Sequence, residues 1–122
     1  ISRALVNELR ILSHAPLREH RNLVHLFGIC WDRDDSSPSV WVKPCSPCAD
    51  RGTLERRLRA KGDLPWETRV NFVNQILSGL TASHSCHITH GDLKPDNVLA
   101  FTDLATQKTV LKLCDFGFSL IL

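Results

Sequence analysis

HITHGDLKPDNVLAF, residues 87–101, and the shorter KLCDFGFS, residues 112–119, decide how this chain is read. Asp92 and Asn97 stand five apart in a loop that contains Pro95. Asp115 follows the strand-like run Val110 to Leu113 and precedes Gly117, a residue that permits a sharp turn. Asn97 and Asp115 are hard-oxygen ligands suited to Mg²⁺, with phosphate oxygens completing its shell. Asp92 is a candidate to accept the proton of an incoming hydroxyl, and Lys94 to neutralise charge on a transferring phosphoryl group. Phosphoryl transfer asks mainly for positioning and charge stabilisation, and these residue types supply both.

Outward from this stretch, Pro65 opens a long helix, well placed in a first turn where its missing N–H costs nothing. Val70, Val73, Leu77 and Leu80 give that helix an apolar seam, running to about His84. Val98 to Phe101 and Val110 to Leu113 predict two short strands joined by a polar turn. Upstream, Thr53 to Lys61 reads as a short basic helix with a solvated face, broken by Gly62-Asp63. PCSPCADRG, residues 44–52, is a connector without periodicity. Leu23 to Trp31 and Val40 to Val42 predict a β-hairpin around the polar turn 32–38. Ile1 to about His14 reads as a helix that ends before Pro16, with Ile1, Leu5, Glu8 and Leu12 on one face. A carboxylate in an apolar stripe either reaches water from the stripe's edge or is partly buried and awaits a cation. The order helix, two strands, short helix, long helix, two strands is α+β.

Composition bounds the function classes. A chain of 122 residues holds at most one domain. With 43% hydrophobic and 23% charged residues, wholesale disorder is excluded. A net charge of +2 is too small to argue for nucleic acid or a membrane surface as partner. No apolar run approaches the ~20 residues of a membrane helix, and no signal-peptide pattern opens the chain. Five irregularly spaced Cys argue against a disulfide framework and for a reducing interior, with cytoplasm as the default location. A chain beginning Ile1-Ser2-Arg3 is not expected to start at a translated N-terminus.

HGDLKPDN resembles the protein-kinase catalytic loop H-R-D-L-x-x-x-N, and Asp115-Phe116-Gly117 matches D-F-G. His90, Asp92, Leu93 and Asn97 with the three D-F-G residues make seven fixed positions in the right order. The flavour of HGDLKPDNVL is similar to fungal serine/threonine kinases. The resemblance runs on through HRNLVHLFG, ADRGTLERRL and LPWETRVNFVNQILSGLTASHS, which resemble the segment after helix C, the hinge exit and the long C-lobe helix. It implies an incomplete kinase domain over residues 1–122. Residues 1–43 would be the N-lobe remainder, 44–52 the hinge region and 53–122 the start of the C-lobe.

By the same resemblance Asp92 is the catalytic base, Lys94 contacts the γ-phosphate, Asn97 and Asp115 bind Mg²⁺, and Leu99 floors the adenine pocket. Glu8 is the helix-C glutamate that pairs with a strand lysine, which favours the buried reading of that residue. The implied reaction moves the γ-phosphate of ATP to a Ser or Thr hydroxyl of a protein substrate. Two residues depart from the pattern: Gly91 stands for the usual Arg, and His87 where Gly is common, a site of expected turn strain. Loss of that Arg implies loss of control through a phosphate on the activation segment. The 122 residues contain no glycine-rich loop and no strand lysine ahead of Glu8, and end five residues after Gly117. Taken alone they are therefore expected to be marginally folded and inactive. The alternatives are a non-catalytic pseudokinase or binding fragment, against which intact Asp92, Asn97 and Asp115 argue, and zinc at Cys45 and Cys48 or among His84, Cys86, His87 and His90. A lone CxxC is a weak signal; Cys114 reads as a buried packing residue, though family members with a Cys there can be covalently modified in the ATP pocket, and Ser119 carries no assigned role.

Overall fold

A computed structural model of the chain describes residues 2–31, 38–43, 51–60 and 62–122. Ser2 caps the first helix, α1 (Arg3–Leu12), its hydroxyl accepting the Leu5 N–H at 3.2 Å. Leu5, Ile11 and Leu12 are buried and Glu8 is half-buried beside them, so the inward face is the one the spacing predicts. Pro16 does not simply end the helix region. It sits in the first turn of a separate short helix, α2 (Ala15–Arg18), where its ring is tolerated. The hairpin follows as β1 (His25–Trp31) and β2 (Pro38–Lys43), antiparallel, with an irregularity between Leu26 and Gly28.

Thr53 caps α3 (Leu54–Arg59), accepting the Arg56 N–H at 3.2 Å. Next comes α4 (Trp66–Ser85), preceded by Pro65. A two-residue strand, β3 (Ile88–Thr89), and a 3₁₀ turn (Pro95–Asn97) lead into β4 (Val98–Thr102). β5 (Thr109–Leu113) pairs with β4 antiparallel, and β6 (Leu120–Ile121) pairs with β3. The mixed helix and strand content is the α+β class. Residues 44–50 of the expected hinge region 44–52, residues 32–37 of the expected turn and the Cys45/Cys48 pair lie outside the described residues. No helix among the described residues is long and apolar enough to cross a membrane.

Helix α4 corrects one expectation. Val70, Val73 and Leu77 of the apolar seam are 41%, 53% and 51% exposed, while Phe72, Gly79 and Ser83 are buried. Close approach decides which face turns inward. A Cβ at Gly79 would meet the Asn22 carbonyl oxygen at 2.9 Å and Leu113 Cδ1 at 3.1 Å, so only glycine lets the helix lie on this loop and strand.

The same loop, residues 22–24, runs beside β5. Leu113 N–H donates to the Asn22 carbonyl at 2.9 Å and Val24 N–H to the Leu113 carbonyl at 3.0 Å. The Asn22 amide donates to the Leu111 carbonyl (2.9 Å) and to Gln75 Oε1 (3.1 Å). Gln75 in turn accepts the Leu111 N–H at 2.8 Å and donates to the Thr109 carbonyl at 3.1 Å. These two amides tie loop, helix and strand into one unit and satisfy backbone groups at the edge of β5. That unit is the platform behind the site.

Candidate active site

The antiparallel register of β4 and β5 brings the two motifs together. Val98 pairs with Leu113, so Asn97 and Cys114 face each other one residue beyond the ladder. Cys114 N–H donates to the Asn97 carbonyl at 2.9 Å, and its carbonyl accepts from His90 Nε2 at 2.8 Å. His90 Nδ1 accepts the Asp92 N–H at 3.2 Å, so the ring proton sits on Nε2. The buried ring also rests on fully buried Phe116, with centroids 4.7 Å apart and planes inclined at 59°. His90 is thus a structural link between the loop 90–97 and residues 114–116. Among the described residues no group of three or more His, Cys, Asp or Glu side chains is arranged to hold a metal.

Asp92 and Asn97 meet as their spacing suggested. Asn97 Nδ2 donates to the Asp92 carbonyl at 2.8 Å and to Asp92 Oδ2 at 3.1 Å. Both amide hydrogens are thereby engaged, and among the described residues no hydrogen bond reaches the oxygen end of the buried Asn97 side chain. Lys94 Nζ lies 3.9 Å from Asp92 Oδ2, on the same carboxylate. Leu99, half-buried on β4, pairs with Lys112 and bridges to Thr53.

Asp115 is exposed and adopts φ 61°, a left-handed conformation that a non-glycine residue holds only under constraint. Gly117 N–H reaches its Oδ1 at 3.4 Å, and no salt bridge among the described residues involves it. Glu8 arrives from α1. Burial raises its carboxyl above the usual range, the nearby Asp115 charge raises it further, and a hydrogen bond from the Phe116 backbone partly offsets both. A cation at Asp115 would relieve this crowding of carboxylates. With the free oxygen of Asn97, the donor set fits a hard divalent ion such as Mg²⁺.

Both departures have a backbone reading. His87 has φ 59°, the strain expected where glycine is usual. Gly91 has φ 84°, and a Cβ there would stand 2.4 Å from the Phe118 carbonyl oxygen. The segment after Asp115 therefore occupies the space a side chain at position 91 would need. Burial pushes the Cys114 thiol up to about 12, with Asp115 and Glu8 adding to it, which fits a packed rather than reactive cysteine. Ser119 is 3% exposed and its Oγ donates to the His90 carbonyl at 2.9 Å.

Sequence reasoning assigned no role to five residues that take part: Asn7, Ser119, Asn22, Gln75 and Lys112. Lys112 is 2% exposed, its ammonium donating to the Arg21 carbonyl at 2.6 Å. Gln75 did carry a signal, since it lies three residues after Phe72 and four before Gly79, on the buried face.

The chain matches the model of the protein kinase domain over residues 2–122. It is 30% identical to the serine/threonine-protein kinase atg1 of Dictyostelium discoideum over 112 residues, covering 92% of this chain and 16% of that protein. It is 29% identical over 119 residues to the mitogen-activated protein kinase MPS1 of Pyricularia oryzae, covering 98% of this chain and 26% of that protein. The same figures hold for the mitogen-activated protein kinase mpkA of Aspergillus fumigatus. The chain spans about a quarter of these relatives' length or less.

Proposed function

This chain belongs to the protein kinase domain family, and on that premise we propose that the protein carrying it transfers the γ-phosphoryl group of ATP to Ser or Thr hydroxyls of protein substrates. The observation that carries the proposal is the Asn97 amide, bonded to both the carbonyl and the carboxylate of Asp92 while its oxygen stays free. One side chain thereby orients the base and offers a metal ligand. Residues 1–43 serve as the end of the N-lobe, 44–52 as the hinge region and 53–122 as the start of the C-lobe.

In this reading Asn97 and Asp115 hold Mg²⁺, which supplies charge neutralisation on the phosphate oxygens when bound. Asp92 Oδ accepts the proton of the substrate hydroxyl as the new O–P bond forms and ADP departs with the electrons of the broken O–P bond. Lys94, 3.9 Å from Asp92 Oδ2, offsets charge on the transferring group. Leu99 contributes the apolar floor under the adenine. Glu8 acts indirectly, as the helix-C carboxylate facing Phe116 and Asp115. The 122 residues taken alone contain neither a glycine-rich loop nor a strand lysine ahead of Glu8, and we propose that they have no turnover of their own.

The test is nucleotide binding by the full-length protein, followed with a fluorescent ATP analogue as Mg²⁺ is titrated. Binding is expected to tighten with Mg²⁺ and to lose that dependence in Asp115→Asn. Binding that ignores Mg²⁺ would instead support a non-catalytic pseudokinase.

A further inference from the structure

The residues after the left-handed Asp115 are held from two sides. On one side stands α1. Asn7 Nδ2 donates to the Ser119 carbonyl at 3.1 Å and to the Gly117 carbonyl at 3.4 Å. Ala4 closes in so tightly that a Cβ at Gly117 would lie 3.1 Å from its own. On the other side stands the loop of Asp92. Ser119 Oγ donates to the His90 carbonyl at 2.9 Å, and Gly91 leaves room for the Phe118 carbonyl. Ser119 N–H closes a turn onto the Phe116 carbonyl at 3.1 Å. One side chain of α1 thus contacts two backbone carbonyls of the segment 116–119, and neither contact uses a positive charge or a phosphate.

We propose that Asn7 is a positioning residue for Asp115, fixing the segment 116–119 against α1 so that the Asp115 carboxylate is presented for metal binding. The inference rests on the kinase reading above. It extends that reading to a residue outside both motifs. It also assigns the hold on this segment to neutral hydrogen bonds, where a side chain at position 91 would have no room.

The test uses the full-length protein with Asn7→Ala and Asn7→Gln, the latter keeping both amide donors. The Mg²⁺ concentration for half-maximal binding of a fluorescent ATP analogue is expected to rise about tenfold in Asn7→Ala, the loss due to two net neutral hydrogen bonds. Binding without Mg²⁺ should not change, and Asn7→Gln should recover most of the effect. In an Asp115→Asn background, Asn7→Ala should add nothing, which separates positioning from general destabilisation. Independently of nucleotide, backbone amides of residues 117–120 should exchange hydrogen about tenfold faster in Asn7→Ala. If that variant does not fold, Asn7→Leu, of similar shape without donors or charge, carries the same test. Equal weakening with and without Mg²⁺, additivity with Asp115→Asn, or unchanged exchange would overturn the proposal. Failure of the unaltered protein to bind nucleotide with Mg²⁺ would refute the kinase reading instead. The exchange measurement would then still decide whether Asn7 holds the segment.

Discussion

Gly91→Ala isolates how the segment after Asp115 is seated. Two costs add at this position. Alanine at φ 84° sits in the left-handed region, at about 1–2 kcal/mol. Its Cβ would also lie 2.4 Å from the Phe118 carbonyl oxygen and 3.1 Å from its carbon. A backbone group cannot swing aside as a flexible side chain can, so loop and segment must separate, at about 1–3 kcal/mol. The sum is about 2–5 kcal/mol, or roughly 8–20 °C in Tm for a domain of this size. Gly62→Ala is the control, because Gly62 has φ 102° but nothing within 4 Å of an added Cβ. It should show the backbone cost alone. Differential scanning calorimetry of both variants measures the difference, and faster amide exchange at residues 118–121 should accompany Gly91→Ala only. A Gly91→Ala protein no less stable than Gly62→Ala would refute the reasoning. Gly91→Arg meets the same obstacle, so restoring the usual family residue should destabilise the protein rather than install phosphate-dependent control.

Cys114, with its thiol pushed up to about 12 from 9.0, holds about a thousandfold less thiolate than an ordinary cysteine. In metal-free native protein at pH 7.5, mass spectrometry should find it unmodified by iodoacetamide until the chain is unfolded; rapid labelling would contradict this. Gln75→Leu removes the acceptor of the Leu111 N–H and the donor to the Thr109 carbonyl, and should cost about 2–4 kcal/mol in urea unfolding. A loss below about 1 kcal/mol would show that these groups find other partners. His20 and His25 are both held below the usual imidazole range, by burial first and by the Lys112 charge second. The unfolded chain therefore binds more protons just below pH 6.5, so this contribution is present above that pH and is lost on acidification. Subtracting the urea midpoints of a His20→Gln/His25→Gln variant from those of the unaltered protein should leave a difference that rises with pH up to about 6.5 and then levels. A flat or falling difference would argue against neutral burial.

What was legible in the sequence was what local chemistry determines. The break at Gly62-Asp63, Pro65 before the long helix and the short apolar runs of β4 and β5 each act within a few residues, and each element formed near its expected place. Asp92, Asn97 and Asp115 were legible because their spacing matches a known motif. The structure adds that the β4–β5 register brings the two motifs side by side. The inward face of α4 was not legible. That helix is apolar on more than one side, and the choice depends on a glycine meeting a carbonyl from residue 22, far away in sequence. Asn7 and Ser119 escaped for a related reason. Their partners are backbone groups 29 to 112 residues distant, and a polar side chain gives no local sign of such a partner. The strand β6 pairs only two residues with β3, too few for any periodicity to register.

The most direct test of the central claim is transfer of the terminal phosphoryl group from radiolabelled ATP to Ser- and Thr-containing protein substrates by the purified full-length protein, with and without Mg²⁺. The account predicts Mg²⁺-dependent incorporation that Asp92→Asn abolishes while nucleotide binding persists. Incorporation that survives Asp92→Asn, or none under conditions where Mg²⁺ and ATP bind, would contradict it.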